Sequence, residues 1–328
     1  MNRIEWIDMA KGYGIICVII GHIATPGITV WIYTYHIPLF FFLSGYLLHS
    51  HYSMGEFLKR KVKSLIIPYF CLSIIVIFHE LFFNKGLDYD LLDVSKEVCL
   101  FIIQERHTPL WFIASLFCSN LIIFLIYKFF HDFRLRVCII SFLAFVIYLY
   151  WTIGGNALPW NVDIALFLLP FMMIAKEMHD SNNVNCYFER KKQFLIWGFI
   201  LGNLLIGGFN YYLTGRKVDL YYEDVNIVLL TYLAAICGIF VIIILSQMKT
   251  IRLISYIGNN SLLIFAWHLI VYNWLGRLYD YLGIFQTPLP LYMIIVRDFV
   301  SLFLILLILI PINEMILHSR FKFVLGRG

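Results

Sequence analysis

The chain of 328 residues is 61% hydrophobic and only 14% charged, with a mean hydropathy of +0.82. A soluble domain of this size cannot hide so much apolar surface, because its exterior must carry charge. The formal charge of +5, with no polybasic tail, gives no support to nucleic-acid binding.

Apolar runs recur from end to end, each near the ~20 residues that cross a ~30 Å hydrocarbon core. Lipid demands internally paired backbone, and the length of these runs marks them as helices. Ten spans are predicted, over 7–26, 31–49, 64–83, 109–128, 136–153, 160–176, 193–213, 225–247, 257–276 and 290–313. The expected fold is an all-α polytopic bundle, one membrane-embedded domain over 1–328. The N-terminal run has no small-x-small cleavage site, and Asp8, Lys11 and His22 continue along it, so a retained first span is expected.

Ionisable groups inside spans cost ~2.5–3.5 kcal/mol each at the centre and need a partner or a purpose. In the first span Lys11 and His22 are eleven residues apart, about three helical turns, so they share a face ~16 Å apart along the axis. Asp8 lies one turn from Lys11, a spacing suited to pairing. The second span carries Tyr35, His36, Ser44 and Tyr46 and runs the opposite way, which puts His36 at the depth of His22. Two imidazoles at one level fit a base with an orienting or proton-accepting partner. The alternative is that each satisfies a carbonyl or hydroxyl in a packed bundle. Gly12, Gly14 and Gly21 suit close helix packing as well as substrate approach.

Before the third span stands a cluster of Lys59, Arg60, Lys61 and Lys63. It fits a topogenic or anionic-lipid-binding run, and equally a site for a phosphorylated donor. The segment 91–104 is apolar but too short to cross and is expected along the surface. Trp111 opens the fourth span, where an aromatic belt is expected and where an aromatic ring also suits a sugar. Pro170 should kink the sixth span. Asp163, Asn203 and Asn210 are expected to hydrogen-bond between helices. His268 lies mid-span and can reach the same polar seam. Arg297 and Asp298 are neighbours on different faces, so each is expected to find its own partner. Seven scattered cysteines without a Cys-x-x-Cys give neither a disulfide framework nor a metal site.

Lysine and arginine set the orientation. With the N-terminus inside, eighteen fall on the inner side and six on the outer, with Arg297 in the last span. Both termini are therefore expected in the cytoplasm.

The stretch WIDMAKGYGIICVIIGH resembles the basic-x10-His motif of the acyltransferase family 3 membrane proteins, with Lys11 and His22 in its two places. HIPLFFFLSGYLL is similar to that family's second-span signature and places His36. KRKVKSLIIPY resembles its basic loop before Pro-Tyr, here Pro68 and Tyr69, although Lys61 and Ser64 stand where many members have two arginines. LWFIASLF and YIGNNSLLIFAWH are weaker echoes. The resemblance implies a multi-pass protein of a bacterial cytoplasmic membrane, similar to fucose 4-O-acetylase-like enzymes. It would move an acetyl group from acetyl-CoA to a hydroxyl of a cell-surface or lipid-linked carbohydrate, with no permanently bound cofactor. In that expectation His22, His36 and Lys11 are catalytic, Arg60, Lys61 and Lys63 hold the donor, and Tyr35, Trp111 and His268 meet the acceptor. A transporter or flippase of a lipid-linked sugar is the alternative, and it predicts no release of CoA.

Overall fold

A computed structural model describes residues 4–24, 26–79, 91–103, 110–181, 192–285 and 288–326. The described residues are all-α. Among the described residues eight helices are long and apolar enough to cross a membrane, with a ninth if a pair bent by 89° counts as one span. The chain divides into two compact units, Met1–Phe40 with Phe188–Arg320, and Phe41–Tyr187 with Phe321–Gly328.

In the first unit, α1 (Glu5–Ile23) ends where Ala24 turns extended, and α2 (Pro26–Tyr46) begins on a proline. Proline suits that first position because its missing N–H would be unpaired there anyway. Helices α10 (Lys192–Thr214) and α11 (Val228–Met248) pack as a hairpin. The short α12 (Arg252–Asn259) then turns sharply into α13 (Ser261–Leu282), and α14 (Leu291–Leu317) follows. Their faces are arranged for lipid. Helix α14 turns Phe299, Phe303 and Leu307 outward and buries Ser301, Ile305, Leu309 and Asn313 at four-residue spacing. Polar groups go inside because only protein can satisfy them there.

The second unit holds α3 (Met54–Lys61), α4 (Ile67–His79), α5 (Leu91–Ile103), α6 (Trp111–Phe129) and α7 (Phe133–Thr152). Ser53 and Glu56 close a reciprocal cap on α3. A π-helical turn over Val62–Ile66 then joins α3 to α4 into one run, Met54–His79. Pro68 explains that turn: its ring would crowd the carbonyl four residues back and it donates no bond. Helix α5 spans thirteen residues, about 20 Å, which is short of a crossing. It docks through Tyr69, whose hydroxyl donates to the Phe101 carbonyl at 3.3 Å.

Three sequence expectations need correction. The span expected over 160–176 is not one helix. A 3-10 turn (Pro159–Asn161), α8 (Val162–Phe167) and α9 (Leu169–Asp180) replace it. Pro170 does more than kink the helix: the chain breaks at Leu168 and Pro170 sits in the first turn of the next helix. Arg297 and Asp298 also do not find separate partners. The Arg297 guanidinium bonds the Asp298 carboxylate at 2.8 Å, because arginine's long stem reaches around the helix.

The expected interhelical bonds are present. Trp151 Nε1 donates to Asp163 at 3.1 Å, and Asn210 donates to Thr231 at 2.9 Å. Asn203 donates to the Thr34 hydroxyl at 2.9 Å and to the Ala234 carbonyl at 2.8 Å, joining α2, α10 and α11. An Asn203→Leu variant should lose about 0.6–1.7 kcal/mol, from the average to the largest value typical of such bonds in membranes. A depressed midpoint of thermal inactivation in detergent would register it.

Candidate active site

Three histidines from three helices of the first unit converge. His22 lies in the last turn of α1, with its side chain exposed and no hydrogen bond to a described residue. The His268 ring, from α13, has its centroid 5.2 Å from that of His22. Tyr33, on α2, stands 6.2 Å from His22 and 4.8 Å from His36. Tyr33 and His36 are three residues apart and so share a helix face.

The backbone fixes the chemistry of two of these rings. His36 places Nδ1 2.9 Å from the Ile32 carbonyl, and His268 places Nδ1 2.7 Å from the Phe265 carbonyl. A carbonyl oxygen only accepts, so each Nδ1 carries a proton, and in the neutral ring each Nε2 then offers a lone pair. In His268 that Nε2 is buried, with no hydrogen-bond partner among the described residues. A buried acceptor left open is a cost of about 1–3 kcal/mol unless something supplies a donor. The arrangement thus holds an accessible imidazole beside a fixed neutral one whose basic nitrogen is unsatisfied.

A loop between α10 and α11 closes on this group. Lys217 sets its ammonium 3.6 Å from the Tyr33 ring centroid and 3.3 Å from the Asp219 carboxylate. It lies within electrostatic range of both His22 and His36. Burial pushes the Asp219 carboxyl above its ordinary range, and Lys217 and the Tyr221 N–H pull it back.

The remaining candidates lie elsewhere. Lys11 is part-buried on α1, about 16 Å along the axis from His22 by helical rise. Tyr35 packs its ring against Gly238, where a Cβ would come within 2.4 Å, and its hydroxyl is 3.5 Å from Cys17 Sγ. Trp111 belongs to the second unit, buried at the start of α6 with its carbonyl accepting from Asn161 at 3.4 Å. Arg60, Lys61 and Lys63 belong to that unit too. Arg60 sits 4.4 Å from the Tyr52 ring centroid and Lys61 5.7 Å from that of Phe57, and Arg60 and Lys63 are exposed. Among the described residues no three His, Cys, Asp or Glu side chains gather to hold a metal ion.

Sequence reasoning missed Tyr33, Lys217 and Asp219. Tyr33 had a signal, its three-residue spacing from His36. Lys217 and Asp219 had none, since only the folded loop brings them to the ring.

A family model described as an acyltransferase domain matches residues 4–313, so the chain belongs to that family, and membership implies transferase activity. No curated protein and no solved structure matched the chain.

Proposed function

From this family membership we propose that the protein is a membrane O-acyltransferase, moving an acetyl group from acetyl-CoA to a hydroxyl of a cell-surface or lipid-linked carbohydrate in a bacterial cytoplasmic membrane. The observation that carries the reading is the open His22 imidazole beside His268, whose buried Nε2 awaits a hydrogen-bond donor.

In the proposed reaction His22 takes the proton of the acceptor hydroxyl as its oxygen attacks the thioester carbon. The carbon–sulfur bond breaks, the carbon–oxygen bond forms, and the proton finishes on the CoA sulfur. Alternatively His22 takes the acyl group itself and hands it to the acceptor in a second step. His268 is positioned as the partner that steadies the His22 ring or relays its proton, and His36 holds Tyr33 in place. Lys11, on the stripe that leads along α1 to His22, offers a cation to the donor's arm. Taken by themselves, the exposed Arg60 and Lys63, with Lys61, suit phosphate groups such as those of CoA.

The test is release of free CoA thiol from acetyl-CoA by purified protein in lipid nanodiscs, with and without surface polysaccharide. Acceptor-dependent release supports the reading. Sugar movement without release would replace it with the transporter or flippase. An Arg60→Gln, Lys63→Gln double variant should raise the KM for acetyl-CoA about 3–10-fold with little change in kcat, as expected for exposed charge-assisted contacts. Initial rates against donor concentration measure it.

A further inference from the structure

The loop over 215–227 is built far more firmly than a connection between two helices requires. Asp219 and Asp224 pair their backbones in an antiparallel bridge, with N–H···O distances of 2.7 and 3.0 Å. Arg216 bonds the Asp224 carboxylate at 2.5 Å, and Asn226 donates to the Arg216 carbonyl at 2.7 Å. Thr231 donates to the Val225 carbonyl at 2.6 Å, and Asn210 accepts from the Ile227 N–H at 3.1 Å, which ties the C-terminal end of the loop to both α11 and α10. Glu223 and Asn226 stand in the left-handed region to make the turn. The consequence of this framework is that Lys217 is aimed over Tyr33, beside the histidines, with Asp219 next to it.

We infer that Lys217 and Asp219 form the acceptor-recognition pair of this enzyme and that they grip two neighbouring hydroxyls of an uncharged sugar ring. This rests on the acyl-transfer reading above and names the acceptor chemistry within it. An ammonium donates and a carboxylate accepts, whereas a sugar hydroxyl does both, so a donor and an acceptor 3.3 Å apart match a vicinal diol. The charge of Lys217 is already offset by Asp219 and stabilised by the Tyr33 face. An anionic ligand would have to displace that carboxylate, while a neutral diol leaves the pair intact. The Lys217 side chain remains 38% exposed, which leaves its ammonium room for a further bond.

The experiment follows CoA release from acetyl-CoA by the full chain in nanodiscs as methyl α-glucoside, α-galactoside or α-fucoside is raised, with a methyl glucuronoside as the charged comparison. At least one neutral glycoside should drive saturable release. Lys217→Met should raise its half-saturating concentration about 5–20-fold, the loss of one charge-assisted hydrogen bond, while the maximal rate stays within about twofold. Lys217→Arg, which keeps the cation and its donors, should restore most of the affinity and shows that the loop still folds. Unchanged half-saturation in Lys217→Met, a fall in maximal rate alone, or tighter saturation by the glucuronoside would each overturn the inference while leaving acyl transfer standing. If neither glycosides nor surface polysaccharide release CoA from the unaltered protein, the acyl-transfer reading falls, and this one with it.

Discussion

Replacing His22 with alanine should lower acyl transfer by about 10²–10⁴-fold, the usual worth of a positioned general base, while the protein still inserts and folds. The second half of that expectation comes from the environment of His22. Its side chain is exposed, and it makes no hydrogen bond to a described residue, so its removal strands no buried polar atom and leaves no sealed cavity. His268 differs on both counts. It is 1% exposed and tied to the Phe265 carbonyl, so truncating it should cost stability as well as rate. The pair of variants therefore separates chemistry from folding. Free imidazole should partly rescue His22→Ala, since the ring it replaces is exposed and makes no hydrogen bond to a described residue, and should do little for the buried His268→Ala. Rates of CoA release, read beside thermal midpoints of the same preparations, decide the matter. A folded His22→Ala protein that acylates at the normal rate would remove this residue from the reaction.

Much of the fold was legible because lipid imposes a strict rule on backbone polar groups. Long apolar runs therefore announced α1, α2, α6, α7, α10, α11 and α14 within a few residues, and buried asparagines announced where helices bond. The misjudged segments share one cause: hydropathy counts apolar residues but not the direction of the chain. At Leu168 an apolar run continues across a break between two helices, and at Asn260 another continues while the helix axis turns by 89°. The lysine and arginine count still places both termini on one side as a proposal. That requires the bent pair and the broken 159–180 segment either both to cross the membrane or both not to.

The site was legible only where spacing along one helix carries it. The three-residue step from Tyr33 to His36 is such a spacing, although only His36 was expected from the sequence, while Lys11 lies outside the histidine group. The approach of His268 to His22 depends on how α13 leaves α12, which no local pattern encodes. The grip of Lys217 on Tyr33 depends on a loop whose hydrogen bonds run between residues up to seventeen apart.

The bend at Asn260 also yields the second large effect, because the helix before it touches α1 backbone to backbone. A Cβ added at Gly258 would stand 1.8 Å from the Asp8 carbonyl oxygen and 2.5 Å from the Gly12 nitrogen. A Cβ at Gly12 would in turn stand 2.1 Å from the Ile254 carbonyl oxygen. Backbone atoms cannot rotate away as a side chain can, so either substitution must part the two helices. Parting them opens the packing of Ile257, which is 1% exposed, and strains the bond by which Tyr256 donates to Glu314 of α14. Glycine inside a helix costs about 0.5–1 kcal/mol relative to alanine, so both glycines run against helix propensity at a contact that leaves no room for a Cβ.

Gly258→Ala should therefore destabilise by about 3 kcal/mol or more, at the upper end of overpacking, and Gly258→Val should fail to accumulate in the membrane. The site should suffer with the fold, since α1 carries His22 while α12 leads directly into the helix that carries His268. Gly276, on α13, is the matched control: nothing lies within 4 Å of a Cβ there. Gly276→Ala should be neutral or stabilising by up to about 1 kcal/mol through helix propensity. Thermal midpoints for the two alanine variants give the comparison directly. Equal midpoints would mean that the close crossing of α1 and α12 does not exist, and with it would go the geometry that sets His268 beside His22.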